Sequence, residues 1–400
     1  MKNMSSIQEI KKNLENKWIQ FLNSNAKKLT VKNLYGASPP SVFVGHHGYP
    51  KIKIGPMIPP LHGNTSILDS PEKWLGKTID EIANYRLSLV RGVYNANIQE
   101  VFGRHIELLQ ELAMANKPAE SEVQFDKIPI VDIEQKKNLG FDIDSITHGF
   151  VASLSAFKIS SSLSVDKRLE DAFYDKDLHA KEAIVNLYHK DVEISKINRI
   201  FSMGMLGIHK NRKLVPTKWS ISAIDDIIST NLTKEIENYS PIELFEVYQH
   251  HHLGNYYSII LIPYNIWVFE MQEGWIDNKG MVGMERDYED AARLDHYPTI
   301  AGAFFAARLA VSEHLNKIKK KAAVLTLREI HPQYVIPVGV WQIREGIREA
   351  LRGPINKFET FEKAISFACV LMSISKNEWI KNSKICNIIV EQKRISDYFN

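Results

Sequence analysis

The chain has 400 residues, of which 44% are hydrophobic, 10% aromatic and 24% charged, so it can bury at least one core and is not a disordered protein. Fifty Lys and Arg against 47 Asp and Glu leave a net charge of +3, which by itself favours no class of partner. The longest apolar stretch, 256–269, contains Ser258, Pro263 and Asn265, and this argues against a membrane-spanning helix.

Cysteine content and the N-terminal sequence indicate an intracellular protein. Cys369 and Cys386 are too few for a disulfide framework or for a zinc site of four thiolates. The first 22 residues alternate charged and apolar side chains and lack the apolar core of a secretory signal. We therefore expect a cytoplasmic protein, associated with the nucleoid, and no contact with a membrane.

Charge and backbone composition are uneven in the first half of the chain. An amphipathic helix is predicted at 4–24, and residues 16–68 contain no acidic side chain over 53 positions. Residues 26–68 also contain five Gly and six Pro, typical of an ordered, loop-rich platform. Further predicted elements are short strands at 41–45 and 51–55, helices at 78–89 and 96–116, a strand at 121–133 and a polar boundary near 134–147.

The second half alternates helices and strands. Helices are predicted near 178–190, 193–203, 299–318, 339–352 and 358–373, and a further helix is capped by Ser220 or Ser222. Strands are predicted at 242–252, 255–262 and 264–273 as a meander, at 322–330 and at 385–390. The sequence thus predicts an α+β fold with a largely antiparallel sheet, divided into residues 1–140, residues 141–390 and a tail at 391–400.

The last nine residues contain the most specific pattern, Gln-x-x-Ile-x-x-Tyr-Phe. It looks like the peptide motif that binds the sliding clamp of DNA replication, PCNA. One 3₁₀ turn would bring Ile395, Tyr398 and Phe399 onto one side as an apolar plug, with Gln392 at the rim of the pocket. The alternative is that these side chains pack on the protein's own core, but chain ends are usually frayed and polar. We therefore predict that the clamp is a partner.

A second pattern is the glycine loop at 45–53 with the basic segment at 209–218. Glycines allow backbone N–H groups to approach phosphate oxygens, and lysines supply positive charge. The predicted DNA- or phosphate-binding residues are Gly45, His46, Tyr49, Lys51, Lys53, Lys213, Lys218 and Trp219. Trp219 and Trp341 can stack on bases, although tryptophans are more often buried. The alternative for the loop is a hairpin turn with solvated lysines.

Candidate catalytic residues are His46, Asp225 and Asp226. The two aspartates can bind a divalent ion in a nuclease or phosphoesterase, or they can stabilise the start of a helix without any catalytic role. His250 and His252 share one face of a predicted strand and can bind a metal with Glu270 or Glu285, although a polar hairpin end is the simpler interpretation. We predict no metal site.

Three internal segments, together with the tail, resemble the archaeal Nre family of DNA repair proteins. They are FVGHHGYPKIKIGPMIPP at 43–60, LVPTKWSISAIDD at 214–226 and VGVWQIRE at 338–345, and the resemblance covers nearly the whole chain. It implies a role in DNA-damage resistance and a clamp-binding tail, as in many members. Many members begin with a four-Cys zinc-binding segment, which is absent from this sequence.

These patterns support one leading hypothesis and two alternatives. The leading hypothesis is a DNA repair protein recruited to PCNA by its tail, with a body that binds DNA or a phosphate-bearing ligand. The alternatives are a metal-dependent nuclease or phosphoesterase acting on DNA ends or nucleotides, and a non-enzymatic adaptor.

Overall fold

A computed structural model describes residues 31–131, 149–290, 293–294, 296–334 and 338–391, with the isolated positions Glu9, Asn16 and Gln20. The predicted helix at 4–24 and the clamp-binding tail lie outside these residues, apart from those isolated positions and Glu391. The predicted boundary near residue 140 also falls outside them and stays a prediction. Over the part of the chain that is described, no helix has both the length and the apolar character needed to span a membrane.

The chain divides into two compact units. The N-terminal unit is Asn16–Ile228 together with Ile336–Gly339. The C-terminal unit is Ser229–Val335 and Val340–Asn400, together with Met1–Glu15. Each unit contains its own sheet.

One mixed sheet forms the frame of the N-terminal unit. Its strands are β1 (Asn33–Ser38), β2 (Val42–Val44), β3 (Lys51–Ile58), β4 (Val90–Asn97), β5 (Ala119–Phe125), β6 (Ile130–Val131) and β7 (Phe150–Ile159). Their order is β1-β5-β7-β4-β3-β2, and β6 also pairs with β7. The β4–β7 pair is parallel and the other pairs are antiparallel. The predicted strands at 41–45 and 51–55 are confirmed as β2 and β3.

Among the described residues of the N-terminal unit, six α-helices begin. They are α1 (Ile79–Leu87), α2 (Arg104–Met114), α3 (Lys167–Tyr174), α4 (Ala180–His189), α5 (Ile194–Ser202) and α6 (Thr217–Ile236). A capping box of Thr78 and Glu81 starts α1. The single helix predicted at 96–116 is wrong in its first part, because residues up to Asn97 pair with β3 as part of β4. The helix begins only after Gly103.

The sheet of the C-terminal unit is also mixed. It comprises β8 (Phe245–His252), β9 (Asn255–Ile262), β10 (Val268–Ile276), β11 (Val282–Glu289), β12 (Ala323–Ile330) and β13 (Asn356–Phe358). The order β11-β10-β12-β9-β8-β13 inserts β12 between β9 and β10, so the predicted meander is interrupted. The chain passes from β11 to β12 through α7 (Gly302–Ile318), and β12 runs parallel to β10. The α+β class is confirmed, but both sheets are mixed and not largely antiparallel.

The C-terminal helices pack on one face of this sheet. After α8 (Trp341–Arg352) the chain forms α9 (Phe361–Ala368), α10 (Lys376–Asn382) and α11 (Lys384–Glu391). Their core contains Val247, Leu325, Ile365 and Trp379, among other buried residues. The strand predicted at 385–390 is wrong, because this segment is helical in α11.

On the sheet face that the C-terminal helices cover, two buried carboxylates accept hydrogen bonds from backbone amides at or just before the starts of the last two helices. Glu329 of β12 accepts from the amides of Ser373, at 2.7 Å, and Ile374, at 2.8 Å, just before α10. Glu270 of β10 accepts from the amides of Lys384, at 3.0 Å, and Ile385, at 2.7 Å, in the first turn of α11. The C-terminal helices are therefore fixed to the sheet by hydrogen bonds as well as by apolar packing.

Candidate nucleic-acid interface

The glycine loop connects β2 to β3 in a tight turn. Gly45 N–H donates to the carbonyl of Lys53 at 2.8 Å, and Lys51 N–H donates to the carbonyl of Gly48 at 2.9 Å. Gly48 has φ +79°, in the left-handed region that favours glycine over residues with a side chain. This turn places His46 and Tyr49 at the tip of the hairpin, where His46 is half-buried and Tyr49 is exposed.

Hydrogen bonds attach the start of α6 to this hairpin. The Val44 amide donates to the hydroxyl of Thr217, the first residue of α6, at 3.0 Å. Ser202 Oγ lies 3.3 Å from the same hydroxyl and donates to the Val215 carbonyl at 2.7 Å. The next two residues of α6, Lys218 and Trp219, are thereby held beside the loop.

Predicted residues that are far apart in sequence meet at this position. The ring centroids of Tyr49 and Trp219 are 5.2 Å apart, with an angle of 53° between the ring planes. Lys218 is close enough to His46 to affect its ionisation. A loop at the tip of one hairpin and the first turn of a distant helix thus form one continuous surface.

A third segment joins this surface to Lys213. The Ile98 amide donates to the Pro50 carbonyl at 3.0 Å, and the Leu214 amide donates to the Ile98 carbonyl at 2.8 Å. Phe102, in the same loop as Ile98, is 56% exposed and its ring centroid lies 5.0 Å from that of His209. We call the surface formed by residues 45–53, 98–102 and 210–219 the glycine-loop interface.

The segments that form the glycine-loop interface also carry exposed lysines. Lys51 and Lys53 alternate with buried isoleucines along β3 and are paired across the ladder with Asn97 and Asn95, which carry no charge. Lys210 and Lys213 are exposed in the segment that precedes α6, and Glu100 is the acidic residue of the 98–102 loop. The surface therefore carries an excess of positive charge.

Burial lowers the pKa of His46, in the loop, and of Lys218, beside it. Desolvation, the neighbouring His47 and the Lys218 ammonium lower the pKa of His46 to about 4, so its imidazole is neutral at pH 7. Burial also lowers the pKa of the Lys218 ammonium below its usual value. Positive charge at neutral pH therefore comes from the lysines, while His46 offers a neutral ring for hydrogen bonding.

The predicted catalytic aspartates lie farther along α6 than expected. Because the helix begins at Thr217, Asp225 and Asp226 occupy its third turn, where Asp225 is buried and Asp226 is half-buried. Adjacent helical positions point about 100° apart, so the two carboxylates face different directions. The expected caps are also wrong: Ser220 lies inside the helix and its hydroxyl bonds to Asn198. A catalytic role of His46, Asp225 and Asp226 stays a prediction.

The histidine cluster of β8 does not meet the carboxylates considered with it. Glu270 is hydrogen-bonded to the start of α11, on the face opposite to the row His250, Tyr257, Arg328 and Glu273. Glu285 of β11 extends that row, but β10, β12 and β9 lie between β11 and β8. Among the residues that are described, no group of three or more His, Cys, Asp or Glu side chains is placed to bind a metal ion.

Other sequence candidates have structural roles. Trp341 is 3% exposed, so its ring is too deeply buried to stack on a base, whereas Trp219 is exposed. Three lysines that follow α7 also have partners within the C-terminal unit: Lys319 donates to Tyr239, Lys320 to Ser240 and Lys321 to the Glu237 carbonyl. Arg328 is buried against Glu273.

Sequence reasoning missed Phe102, whose apolar side chain resembles a core residue. The sequence signal for it was its position, next to Gly103 and two residues from Glu100 and from Arg104. The clamp-binding candidates Gln392, Ile395, Tyr398 and Phe399 lie outside the described residues, directly after α11.

Family models and individual relatives point to the same protein family over most of the chain. The archaeal Nre N-terminal family model matches residues 13–279, and the archaeal Nre C-terminal model matches residues 289–398. The DNA repair protein NreB of Archaeoglobus fulgidus is 34% identical over 361 residues, covering 88% of this chain and 89% of that protein. NreA of the same organism is 34% identical, covering 86% and 85%. NreA of Haloferax volcanii is 32% identical, covering 83% and 81%.

No solved structure matches the chain. The two family models and the three relatives span both compact units, so the assignment does not depend on one segment. This chain belongs to the archaeal Nre family.

Proposed function

We propose that this chain is a DNA repair protein that binds DNA through the glycine-loop interface and reaches the sliding clamp through its C-terminal tail. Its similarity to three proteins named DNA repair protein NreA or NreB supports the role in repair. The observation that carries DNA binding is the convergence of cationic and aromatic side chains from three segments on one surface.

The chemistry of this surface suits a nucleic acid backbone. Exposed lysines neutralise phosphates and release condensed counterions, which makes binding strong at low salt and weak at high salt. The uncharged asparagines opposite Lys51 and Lys53 do not compete for these cations. Arg212 is not part of the binding set, because its guanidinium donates to the carbonyls of Gly207 and Asp175, each at 2.8 Å.

Salt-dependent DNA binding tests the interface. Fluorescence anisotropy across a salt series should show that Lys213→Ala and Lys51→Ala each weaken binding and reduce the slope of log K against log salt by about 1. Lys320→Ala is a matched control, because this lysine belongs to the C-terminal unit and donates to Ser240 at 3.2 Å. An absence of DNA binding at low salt would refute direct recognition and favour the adaptor hypothesis.

Recruitment to the clamp is a separate part of the proposal. In the proposed complex, one 3₁₀ turn presents Ile395, Tyr398 and Phe399 to an apolar pocket of the clamp. The two aromatic side chains account for most of the area that so short a peptide can bury. Titration calorimetry with an archaeal sliding clamp should show binding by the full chain, and its loss in the double variant Tyr398→Ala, Phe399→Ala. Asn400→Ala, outside the motif, should bind as the wild type does. Clamp binding that survives the double substitution would reject this part.

A further inference from the structure

We propose that the glycine-loop interface recognises an unpaired DNA strand, with bases stacked on the rings of Tyr49 and Trp219. The inference rests on the proposed DNA binding and specifies the form of DNA that is bound. It is carried by the exposure of these two rings, their contact with each other and the way in which their backbones are held.

Trp219 differs from the other described tryptophans in its exposure. Trp74, Trp267, Trp275, Trp341 and Trp379 are each at most 3% exposed, whereas Trp219 is 45% exposed. Tyr49 is 46% exposed. Large aromatic side chains are normally placed where much of their area is buried, so a contacting pair that is left open to solvent indicates a partner for the ring faces.

Both rings are held on rigid backbone. Tyr49 lies in the turn closed by the Gly48–Lys51 hydrogen bond, and its neighbour Pro50 accepts from Ile98. Trp219 lies in the first turn of a 20-residue helix whose first residue is bonded to β2. Aromatic side chains have only two side-chain torsions, so little conformational entropy is lost when a base stacks on a ring that is already held in place.

The combination of these rings with lysines favours a single strand over a duplex. Lysines bind the phosphates of either form, but the base faces inside a duplex are already covered by neighbouring base pairs. Only an unpaired strand can offer a base face to Tyr49 or Trp219 and its phosphates to the surrounding lysines. Neutral His46, beside Lys218, can exchange hydrogen bonds with a base edge or a phosphate at this position.

Matched single-stranded and duplex DNA of one sequence test the inference by anisotropy at low salt. We expect the wild type to bind the single strand more tightly. Trp219→Ala and Tyr49→Ala should each weaken single-strand binding by about 5- to 150-fold and duplex binding by less than about threefold. Trp219→Phe, which keeps an aromatic face, should retain most of the single-strand affinity.

Tryptophan fluorescence tests the same inference and needs only the conservative variant Trp219→Phe. Because the other described tryptophans are buried, single-stranded DNA should quench the emission of the wild type but change that of Trp219→Phe much less. Tyr35→Ala is a matched control, since Tyr35 is exposed on β1, which is bonded through the Ala37 amide to the Leu61 carbonyl, beyond the end of β3 that is remote from the glycine loop. Its affinity for both DNA forms should equal that of the wild type.

The possible outcomes separate this inference from the proposed function. Binding of neither DNA form refutes both. Binding that is equal for single strand and duplex, or that falls equally for both in Trp219→Ala, overturns the inference and leaves DNA binding in place. Tighter binding of an oligoribonucleotide of the same sequence would overturn the assignment to DNA.

Discussion

Replacement of Glu270 tests how the last helix is held to the sheet. Glu270 is fully buried, and its carboxylate accepts from two backbone amides of α11 and from the Ser383 hydroxyl at 3.0 Å. In Glu270→Ala two buried donors, the Ile385 amide and the Ser383 hydroxyl, lose their acceptor inside the protein. At about 1–3 kcal/mol for each buried donor left without a partner, the segment should lose about 2–6 kcal/mol of stability. Glu270→Gln keeps one oxygen acceptor and should lose about half as much.

Amide hydrogen exchange measures this loss where it occurs. The amides of Lys384 and Ile385 should exchange faster in Glu270→Ala, because opening of α11 costs less free energy. Glu362→Gln is the control: its partner Lys376 is on the surface, and exposed ion pairs contribute only about 0–1 kcal/mol. Unchanged exchange at Lys384 and Ile385 in Glu270→Ala would refute the anchoring role of this carboxylate.

Two further predictions concern other sites. The pKa of His46 is about 4 against an ordinary 6.5, so the folded state binds fewer protons between these values and stability should rise with pH from about 4 to 6.5. His46→Gln should remove that part of the pH dependence in urea unfolding, and an identical profile would contradict the shift. Gly346 packs so closely on the buried Tyr257 that a Cβ would lie 2.6 Å from its ring. Gly346→Ala should therefore cost about 1–3 kcal/mol in urea unfolding, and a neutral effect would show that α8 can move away.

The parts of the fold that were predicted correctly are those in which local periodicity and burial agree. In β3, Lys51 and Lys53 alternate with Ile52 and Ile54, and the exposed and buried faces follow this alternation. The helical patterns at 178–190 and 193–203 correspond to α4 and α5 with ends shifted by one or two residues. Such elements require no information from distant parts of the chain.

The errors occur where tertiary contacts override a local pattern. Residues 96–97 fit a helical pattern, but they complete β4 because β3 lies beside them. Residues 385–390 are rich in isoleucine and valine and suggest a strand, but Glu270 on β10 binds the amides at their start and favours a helix. The insertion of β12 between β9 and β10 likewise depends on a long-range pairing that no local signal reveals.

The candidate interface could be predicted as a set of residues but not as a surface. The sequence pointed to Tyr49 through the glycine loop and to Trp219 through the basic segment beside it, with nothing to connect the two. Their contact depends on the hydrogen bond from Val44 to Thr217, across 173 positions of sequence. The loop that carries Phe102 is attached to Pro50 and Leu214 through the backbone of Ile98, and backbone hydrogen bonds of this kind leave no pattern in the side chains.

The attachment of α11 to the sheet has a mechanical consequence for the proposed clamp motif. The last helical residue is Glu391, and the motif begins at Gln392, so no linker separates the two. One extended residue spans about 3.3–3.6 Å. A sliding clamp that bound Gln392 would therefore lie only one residue away from a helix that is hydrogen-bonded to β10. Such a connection has a short reach and a narrow angular range, in contrast to a long flexible linker, which samples many orientations. The bound clamp would then determine the orientation of the C-terminal unit as well as the position of that unit on DNA.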